Sequence, residues 1–253
     1  MPQCITPNLL VKFTVSVSIF GLFSTLMLAL FPPTIQDNFL WRKPLIGAAF
    51  TLICISGIAA VFFPKKCSKT SGSIRTEKPT TFNLKGHNIQ KMSITVKGHH
   101  PNCGRYSAHV ICVNKHVFCA ACTGLLLGAL IAIAGTTLYF FIGWDIVQDG
   151  FLAVLFGQFG IVLGFMQLKF ERYTRSALNA LFVFAAFLIL VGIDKLIEST
   201  FADLYLIGLI VFWLWTRILI SRWDHWRICH TCETPCRLKE RQYDHYTEGY
   251  THD

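Results

Sequence analysis

The stretch SALNALFVFAAFLILVGI, residues 176–193, contains no charged side chain over its whole length. A helix needs roughly 20 consecutive apolar residues to cross the hydrocarbon core of a bilayer, which is about 30 Å thick. A run of this kind therefore predicts a transmembrane helix. Whether the chain as a whole is a membrane protein then depends on how often such runs recur.

Comparable runs recur at five other places, and only the last of them contains charges, Asp203 and Arg217, each near an end. The five are Phe13–Phe31, Leu45–Phe63, Val117–Trp144, Gly150–Leu168 and Phe201–Ile220. We expect the two charged side chains to snorkel to the membrane interface. Since 53% of the 253 residues are hydrophobic and only 15% are charged, the sequence predicts an all-α membrane protein with about six transmembrane helices, embedded in the lipid bilayer.

The basic residues predict an orientation, because short loops rich in Lys and Arg stay cytoplasmic. With six spans, all of the 23 Lys and Arg residues except Arg42, Lys43 and Lys195 fall on one side, together with both termini. We therefore expect a multi-pass protein of the plasma membrane with cytoplasmic N- and C-termini. The net charge of +9 then reflects topology and anionic headgroups, and no separate basic domain argues for nucleic acid binding.

A polar stretch of the chain separates two N-terminal helices from four closely connected ones. Gly124-x3-Gly128 and Gly160-x3-Gly164 predict close helix packing within the second group. The predicted divisions are two transmembrane helices at 1–64, a flexible polar linker at 65–98, a Cys/His metal-binding hairpin at 99–122, a four-helix transmembrane bundle at 117–220 and a cysteine-rich cytoplasmic tail at 221–253.

A segment rich in Cys and His precedes the third predicted span. It begins with His100-x2-Cys103-Gly104, a compact turn in which two ligands converge, with glycine available for a positive φ. Val110–Val113 and His116–Phe118, joined by a polar Asn-Lys pair, predict a short β-hairpin. Because the cytosol keeps thiols reduced, clustered cysteines there more often bind metal or do redox chemistry than form structural disulfides.

Cys119 and Cys122 follow the hairpin and are predicted to lie in the first turn of the third transmembrane helix. Their sulfurs then point to one side, and the helix N-terminus stabilises thiolates. The order of knuckle, hairpin and helix resembles a treble-clef zinc site in which His100 replaces the usual first cysteine, and a His-Cys₃ tetrahedron is an ordinary structural site. Redox chemistry and simple packing of the two thiols remain alternatives. Further candidate ligands are His99, His109 and His116.

The C-terminal tail contains a second cluster, Cys229-x2-Cys232-x3-Cys236. Three thiolates and one imidazole would complete a second zinc tetrahedron, whereas an iron–sulfur cluster needs four cysteines or an unusual fourth ligand. Reduced or regulatory thiols are the other alternative. The candidates for the fourth ligand are His225, His230 and His245.

The helix-start motif Cys119-Ala120-Ala121-Cys122-Thr123-Gly124 resembles that of a family of uncharacterised prokaryotic membrane proteins, known as a domain of unknown function and marked by Cys-Ala-Arg-Cys-Thr-Gly where a span begins. The likeness covers about residues 99–131, and Ala121 stands where that family has arginine. It implies a polytopic membrane protein with a metal motif and assigns no activity.

These observations favour a noncatalytic membrane protein whose zinc cap fixes the cytoplasmic helix ends and docks a cytoplasmic or membrane protein partner, or a second copy of the chain. The alternative is a quinone-linked membrane thiol–disulfide oxidoreductase that uses Cys119 and Cys122. A catalytic zinc site is less favoured, because no Asp or Glu lies within Lys91–Gly124 to act as a general base. Whether the chain is an enzyme is therefore left open.

Overall fold

The computed structural model describes residues 7–33, 41–62, 96–97, 110–113, 116–145, 147–170 and 172–230. In this part of the chain six helices are long and apolar enough to cross a membrane, which confirms the predicted number. They are α1 (Pro7–Leu30), α2 (Arg42–Phe62), α3 (Ala120–Thr136), α4 (Gly150–Phe165), α5 (Arg172–Ile197) and α6 (Thr200–His230). A π-helical turn, Thr137–Phe141, prolongs α3, and a 3₁₀ turn, Met166–Lys169, prolongs α4.

Local sequence explains where several helices begin. Pro7 is the first residue of α1, where a missing backbone N–H costs nothing. Asp149 caps α4, because its carboxylate accepts hydrogen bonds from the backbone N–H groups of Phe151 and Leu152 at 2.9 and 3.3 Å. Only two residues separate α5 from α6, so these helices form a tight antiparallel pair.

Helix α5 is the central helix of the bundle. Two-thirds of its span, 67%, is buried inside the protein, against 22–39% for the other five spans. It packs chiefly against α3 and α4, while α1 lies mainly on α6 and α2 mainly on α3. Large side chains on the outer surface are exposed, as at Phe20 (68%), Phe156 (66%) and Phe201 (83%). Such a surface fits contact with lipid rather than water.

Glycines allow the close contacts around α5, as the Gly-x3-Gly spacings predict. Gly124 and Gly128 of α3 face Ser176 and Ala180 of α5, and a Cβ atom at either glycine would overlap a backbone carbonyl oxygen. On the other side, Gly160 and Gly164 of α4 face the side chains of Ala185 and Phe182 of α5, which a Cβ atom at either glycine would overlap. The backbones therefore approach more closely than larger residues permit.

The helix ends form two groups, the cysteine end and the aspartate end. The cysteine end comprises the starts of α3 and α5 and the part of α6 around Asp224, and it contains Cys119. The aspartate end comprises the ends of α3 and α5 and the starts of α2 and α6, and it contains Asp194. The two ends lie at opposite ends of α5.

The prediction that Asp203 and Arg217 snorkel to the interface was wrong. Their exposed fractions are 0% and 4%. Asp203 accepts a hydrogen bond from Arg42 of α2, and Arg217 donates to Asn179 of α5. Because each charge finds its partner on a neighbouring helix, it is held inside the protein rather than at the lipid headgroups.

A small three-stranded sheet precedes α3, in the order β1–β3–β2. The antiparallel pair β2 (Val110–Val113) and β3 (His116–Cys119) is the predicted hairpin. Strand β1 (Val96–Lys97) pairs parallel to β3 and falls at the end of the predicted linker 65–98, whose other residues lie outside the described part. The structure therefore adds one strand to the predicted hairpin and leaves the predicted helical architecture unchanged.

Helix α6 extends further than the last predicted span. It has 31 residues, which makes it about 46 Å long at 1.5 Å per residue, more than the roughly 30 Å of a hydrocarbon core. The predicted tail 221–253 therefore starts as helix, up to His230. Residues 231–253 lie outside the described part of the chain.

Candidate functional site

The cysteine end brings the thiols of Cys119 and Cys122 together. Cys119 is the last residue of β3, opposite Val110, and it is also the N-cap of α3, with extended backbone angles (φ −70°, ψ 120°). Cys119 therefore lies just before the first helical turn, whereas the sequence had predicted it within that turn. Cys122 lies in that turn, and the two side chains are in hydrogen-bonding contact. Cys119 is buried, with 3% exposed, and Cys122 is half-buried.

This contact is compatible with two ligands of one zinc ion. Zinc–sulfur bonds of about 2.3 Å in a tetrahedron place two sulfurs about 3.8 Å apart, the range of a thiol–thiol contact. Among the residues that the structure describes, no group of three or more His, Cys, Asp and Glu side chains is arranged to hold a metal. The described chain thus contributes two thiols to such a site.

The other predicted ligands cannot be placed. His100, Cys103 and His109 of the first cluster, and Cys232 and Cys236 of the second, lie outside the described residues. For Cys229 the structure gives the backbone alone, in the last turn of α6. Neither the first zinc tetrahedron nor the tail cluster is therefore tested by the fold.

Two buried arginines lie beside the thiol pair. Arg175 at the start of α5 is close enough to interact electrostatically with Cys119, and Arg217 of α6 with both cysteines. Their exposed fractions are 2% and 4%. A negatively charged sulfur at this place, free or bound to a metal, therefore faces two guanidinium groups and the N-terminus of α3.

Amide side chains hold Arg217 in position. Its Nε donates to Oδ1 of Asn179 at 2.7 Å, and its Nη2 donates to the same oxygen and, at 3.5 Å, to Oε1 of Gln167. Asn179 in turn donates to the backbone carbonyl of Arg175 at 2.6 Å. Because Asn179 and Gln167 are also buried, the guanidinium group keeps hydrogen bonds that it would otherwise lose with water.

One carboxylate completes the cluster. Asp224 of α6 is 3% exposed and lies 3.7 Å from Arg175, measured between Oδ2 and Nη2. Its other oxygen pairs at 3.1 Å with Arg227, whose guanidinium stacks over the Trp223 ring. Because Asp224 is held between two arginines, it neutralises charge rather than standing ready as a base. The buried part of the cluster carries two positive charges and one negative charge.

Gly124 explains why the thiols reach these side chains. A Cβ atom there would overlap the carbonyl oxygen of Ser176 and press on Asn179. Without one, the first turn of α3 lies directly on the start of α5. Thr123 further fixes this turn by donating to the carbonyl of Cys119 at 3.0 Å.

Sequence reasoning missed four members of this cluster, although three gave a signal. Gln167 and Asn179 interrupt two apolar runs with amide side chains, and Arg175 borders one of these runs on the same predicted side of the membrane. Asp224 lies beyond the last apolar run and gave no such signal. Polar groups near the ends of several spans indicate a shared buried network, but the sequence does not tell which helix ends are neighbours.

Comparison of the chain with protein-family models, with curated proteins and with solved structures finds no match.

Proposed function

We propose that this protein is a multi-pass membrane protein with a structural zinc site at its cysteine end, where His100, Cys103, Cys119 and Cys122 are the ligands. The zinc cap fixes the helix ends on the cytoplasmic face of the plasma membrane and offers a docking surface to a protein partner. His109 is the alternative zinc ligand in place of His100. We also propose a distant relationship with the family that has the Cys-Ala-Arg-Cys-Thr-Gly motif.

The observation that carries the proposal is the contact between the Cys119 and Cys122 thiols at the point where a hairpin passes directly into a helix. A treble-clef site takes two ligands from this place and two from a preceding knuckle. The knuckle residues precede β2 by a few residues, so the chain is long enough for them to reach the pair.

The charge balance supports an anionic centre. Three thiolates and a neutral imidazole give a zinc site one net negative charge. Arg175 and Arg217, with Asp224, supply one net positive charge in the buried surroundings. The two charges compensate each other within the apolar bundle, which reduces the cost of burying them.

The surroundings of the thiols support a noncatalytic role. A catalytic zinc site keeps an open position beside a general base. Asp224, the carboxylate of this cluster, is paired with Arg175 and Arg227. A closed four-ligand site that holds the sheet against the starts of α3 and α5 fits these contacts better. The tail cysteines Cys229, Cys232 and Cys236 would supply a second zinc site on the same face.

Elemental analysis of the full-length protein, purified in detergent, tests the proposal. We expect about one zinc atom per chain if only the first site is filled and about two if the tail also binds. Cys119→Ser and Cys103→Ser should each remove one zinc atom and lower the folded yield. Cys229→Ser should remove the second atom only.

Cys54→Ser is the matched control, because Cys54 is a buried cysteine within α2 with no place in either cluster. It should leave the zinc content unchanged. Zinc-free wild-type protein that folds and unfolds like the zinc-supplemented protein would contradict the proposal.

A second candidate function rests on the same contact. Two adjacent thiols at a helix start also suit a membrane thiol–disulfide oxidoreductase. Oxidation of the Cys119–Cys122 dithiol to a disulfide would release two electrons and two protons, which a quinone takes up as it becomes a quinol. Among the described residues no third metal ligand accompanies the two thiols, and this observation is compatible with a redox role.

Disulfide mapping by mass spectrometry separates the two functions. Protein trapped with an alkylating reagent in the cell should show free or metal-protected thiols at both positions if zinc is bound. A Cys119–Cys122 disulfide, together with quinone reduction that Cys54→Ser preserves and Cys122→Ser abolishes, would favour the oxidoreductase.

A further inference from the structure

The aspartate end contains a second buried charge cluster that the zinc site does not use. Its members come from four helices and are all nearly inaccessible: Arg42 (6% exposed), Tyr139 (4%), Asp194 (1%) and Asp203 (0%). In the sequence, Arg42 and Asp194 lie outside the six apolar runs, and Asp203 was expected at the interface. Their convergence is therefore a feature of the tertiary structure.

One guanidinium group serves both aspartates. Nη1 of Arg42 lies 2.9 Å from Oδ1 of Asp194 and 3.1 Å from Oδ2 of Asp203. Tyr139 donates a hydrogen bond of 2.8 Å to Oδ2 of Asp194. The described cluster thus offers one full positive charge to two carboxyl groups in an apolar interior.

The two carboxyl groups also face each other, within hydrogen-bonding reach. Oδ1 of Asp203 is buried and accepts no hydrogen bond from any described residue. Two carboxylate oxygens repel at such a distance, whereas one proton between them makes a hydrogen bond and reduces the cluster to one positive and one negative charge. Oδ1 of Asp194, although close to Arg42, likewise accepts no hydrogen bond from any described residue, so these two oxygens are the place for that proton.

The short turn between α5 and α6 enforces this arrangement. Glu198 adopts a positive φ of 51°, rare for a residue other than glycine, and its N–H bonds to the carbonyl of Asp194. The N–H of Asp203 bonds to the carbonyl of Ser199. Both aspartates are thus fixed by backbone hydrogen bonds on either side of one turn, and neither moves away from the other without breaking it.

We propose that Asp194 and Asp203 form a proton-binding site, in which one exchangeable proton is held between the two carboxyl groups. On release the proton passes to water at the aspartate end and leaves a second negative charge beside Arg42. Among the described residues, the other charged groups near the cluster are Lys43, which lies over the Tyr139 ring, and the pair of half-buried Lys195 and exposed Asp145. This inference is independent of the zinc proposal, because the two sites share no residue.

Infrared difference spectroscopy tests the proton directly on full-length protein in phosphatidylcholine vesicles at neutral pH. Wild-type protein should show the carbonyl stretch of a protonated carboxylic acid, shifted in heavy water. Asp203→Asn and Asp194→Asn should each abolish this band, because the remaining carboxylate pairs with Arg42. Asp145→Asn, which changes an exposed aspartate at the same end, should preserve it.

Tyr139→Phe keeps both carboxyl groups and gives a readout if the asparagine variants do not fold. It should shift the band without removing it, since Asp194 loses a hydrogen-bond donor. A missing band in the wild type, a band unaffected by both asparagine variants, or an unshifted band in Tyr139→Phe would overturn the proposal. The spectra are recorded in a choline salt, and exchanging that salt for the sodium salt should leave the band unchanged. Loss of the band in sodium would show that the site binds a metal cation instead of a proton.

Discussion

At the aspartate end, two buried carboxyl groups share one guanidinium group, whereas the cysteine end contains two buried guanidinium groups and one buried carboxylate, which pairs with Arg175. Both clusters lie on the central helix α5, which contributes Asp194 to one and Arg175 and Asn179 to the other. One helix thus carries charge compensation of opposite sign at its two ends.

The two ends differ in the sign of the charge that each cluster needs for balance. A surplus of carboxyl groups calls for a cation, and a proton is the smallest that fits between two oxygens in contact. A surplus of guanidinium groups calls for an anion, and the neighbouring thiols provide one when ionised or bound to zinc. In both cases buried charges pair because leaving one unpaired in an apolar interior is costly.

The largest effect is expected from removing Arg42, the buried cation that Asp194 and Asp203 share. Arg42→Gln leaves two buried carboxyl groups without a counter-charge and should lower the free energy of unfolding by about 3–5 kcal/mol. Arg42→Lys keeps the charge but not the planar donor arrangement, so it should lower the free energy of unfolding by less than Arg42→Gln does. The measurement is denaturant-induced unfolding in detergent micelles.

Lys12→Gln is the control for this variant, because the Lys12 side chain on α1 is exposed. Its effect should stay within about 0.5 kcal/mol. Equal stability of Arg42→Gln and wild type would mean that the buried ion pairs are unimportant for the fold.

The helix contact that supports the cysteine end gives the next effect. Gly124→Ala places a Cβ atom against the Ser176 carbonyl oxygen, and such overpacking costs about 1–3 kcal/mol. The strain should also separate Cys119 from Arg175, so thiol alkylation rates should change. Gly208→Ala, at a glycine with open space around it, should destabilise neither the fold nor the thiol site.

The next prediction concerns Asn179, whose side-chain amide holds Arg217 at the cysteine end through hydrogen bonds. Asn179→Ala removes the acceptor for two donors of a buried guanidinium group, which should cost about 1–3 kcal/mol. Gln158→Ala is the comparison, since that amide donates one neutral bond to the Leu22 carbonyl. A smaller decrease in the free energy of unfolding for Asn179→Ala than for Gln158→Ala would contradict the role of Asn179 in holding Arg217.

The smallest effect concerns an ion pair at the rim of the aspartate end. Hydrogen bonding to Lys195 holds the pKa of Asp145 below its ordinary value, and the Asp145 side chain is exposed while that of Lys195 is half-buried. A lowered folded-state pKa stabilises the protein above the unfolded-state pKa of about 3.9, and this stability disappears as the pH falls through the folded value.

Asp145→Asn should therefore be slightly less stable than wild type at neutral pH and equally stable in strong acid. Thermal unfolding as a function of pH measures this difference. High salt should reduce it, because exposed pairs are screened. A salt-insensitive difference would indicate that the pair is more buried than the structure shows.

Several parts of the molecule could be predicted because they depend on neighbours in sequence. Apolar runs of about 20 residues identified six spans, since a helix of that length crosses the bilayer and satisfies its backbone hydrogen bonds within its own segment. Alternating residues on both sides of Asn114-Lys115 identified the hairpin, which pairs as expected between Val110–Val113 and His116–Cys119. The glycines at 124 and 160 indicated close packing before any partner helix was known.

The number of helices, the hairpin that leads into α3 and the adjacency of Cys119 and Cys122 can thus be derived from the amino-acid sequence, because all of these follow from local periodicity and backbone hydrogen bonding. The packing of the helices was needed to find that Asp203 and Arg217 point inward, that Arg42 pairs with two aspartates, and that Arg175 lies near the thiols. Whether a charge near a span end reaches the headgroups or a partner depends on which helices are neighbours, and that is set by packing across the bundle.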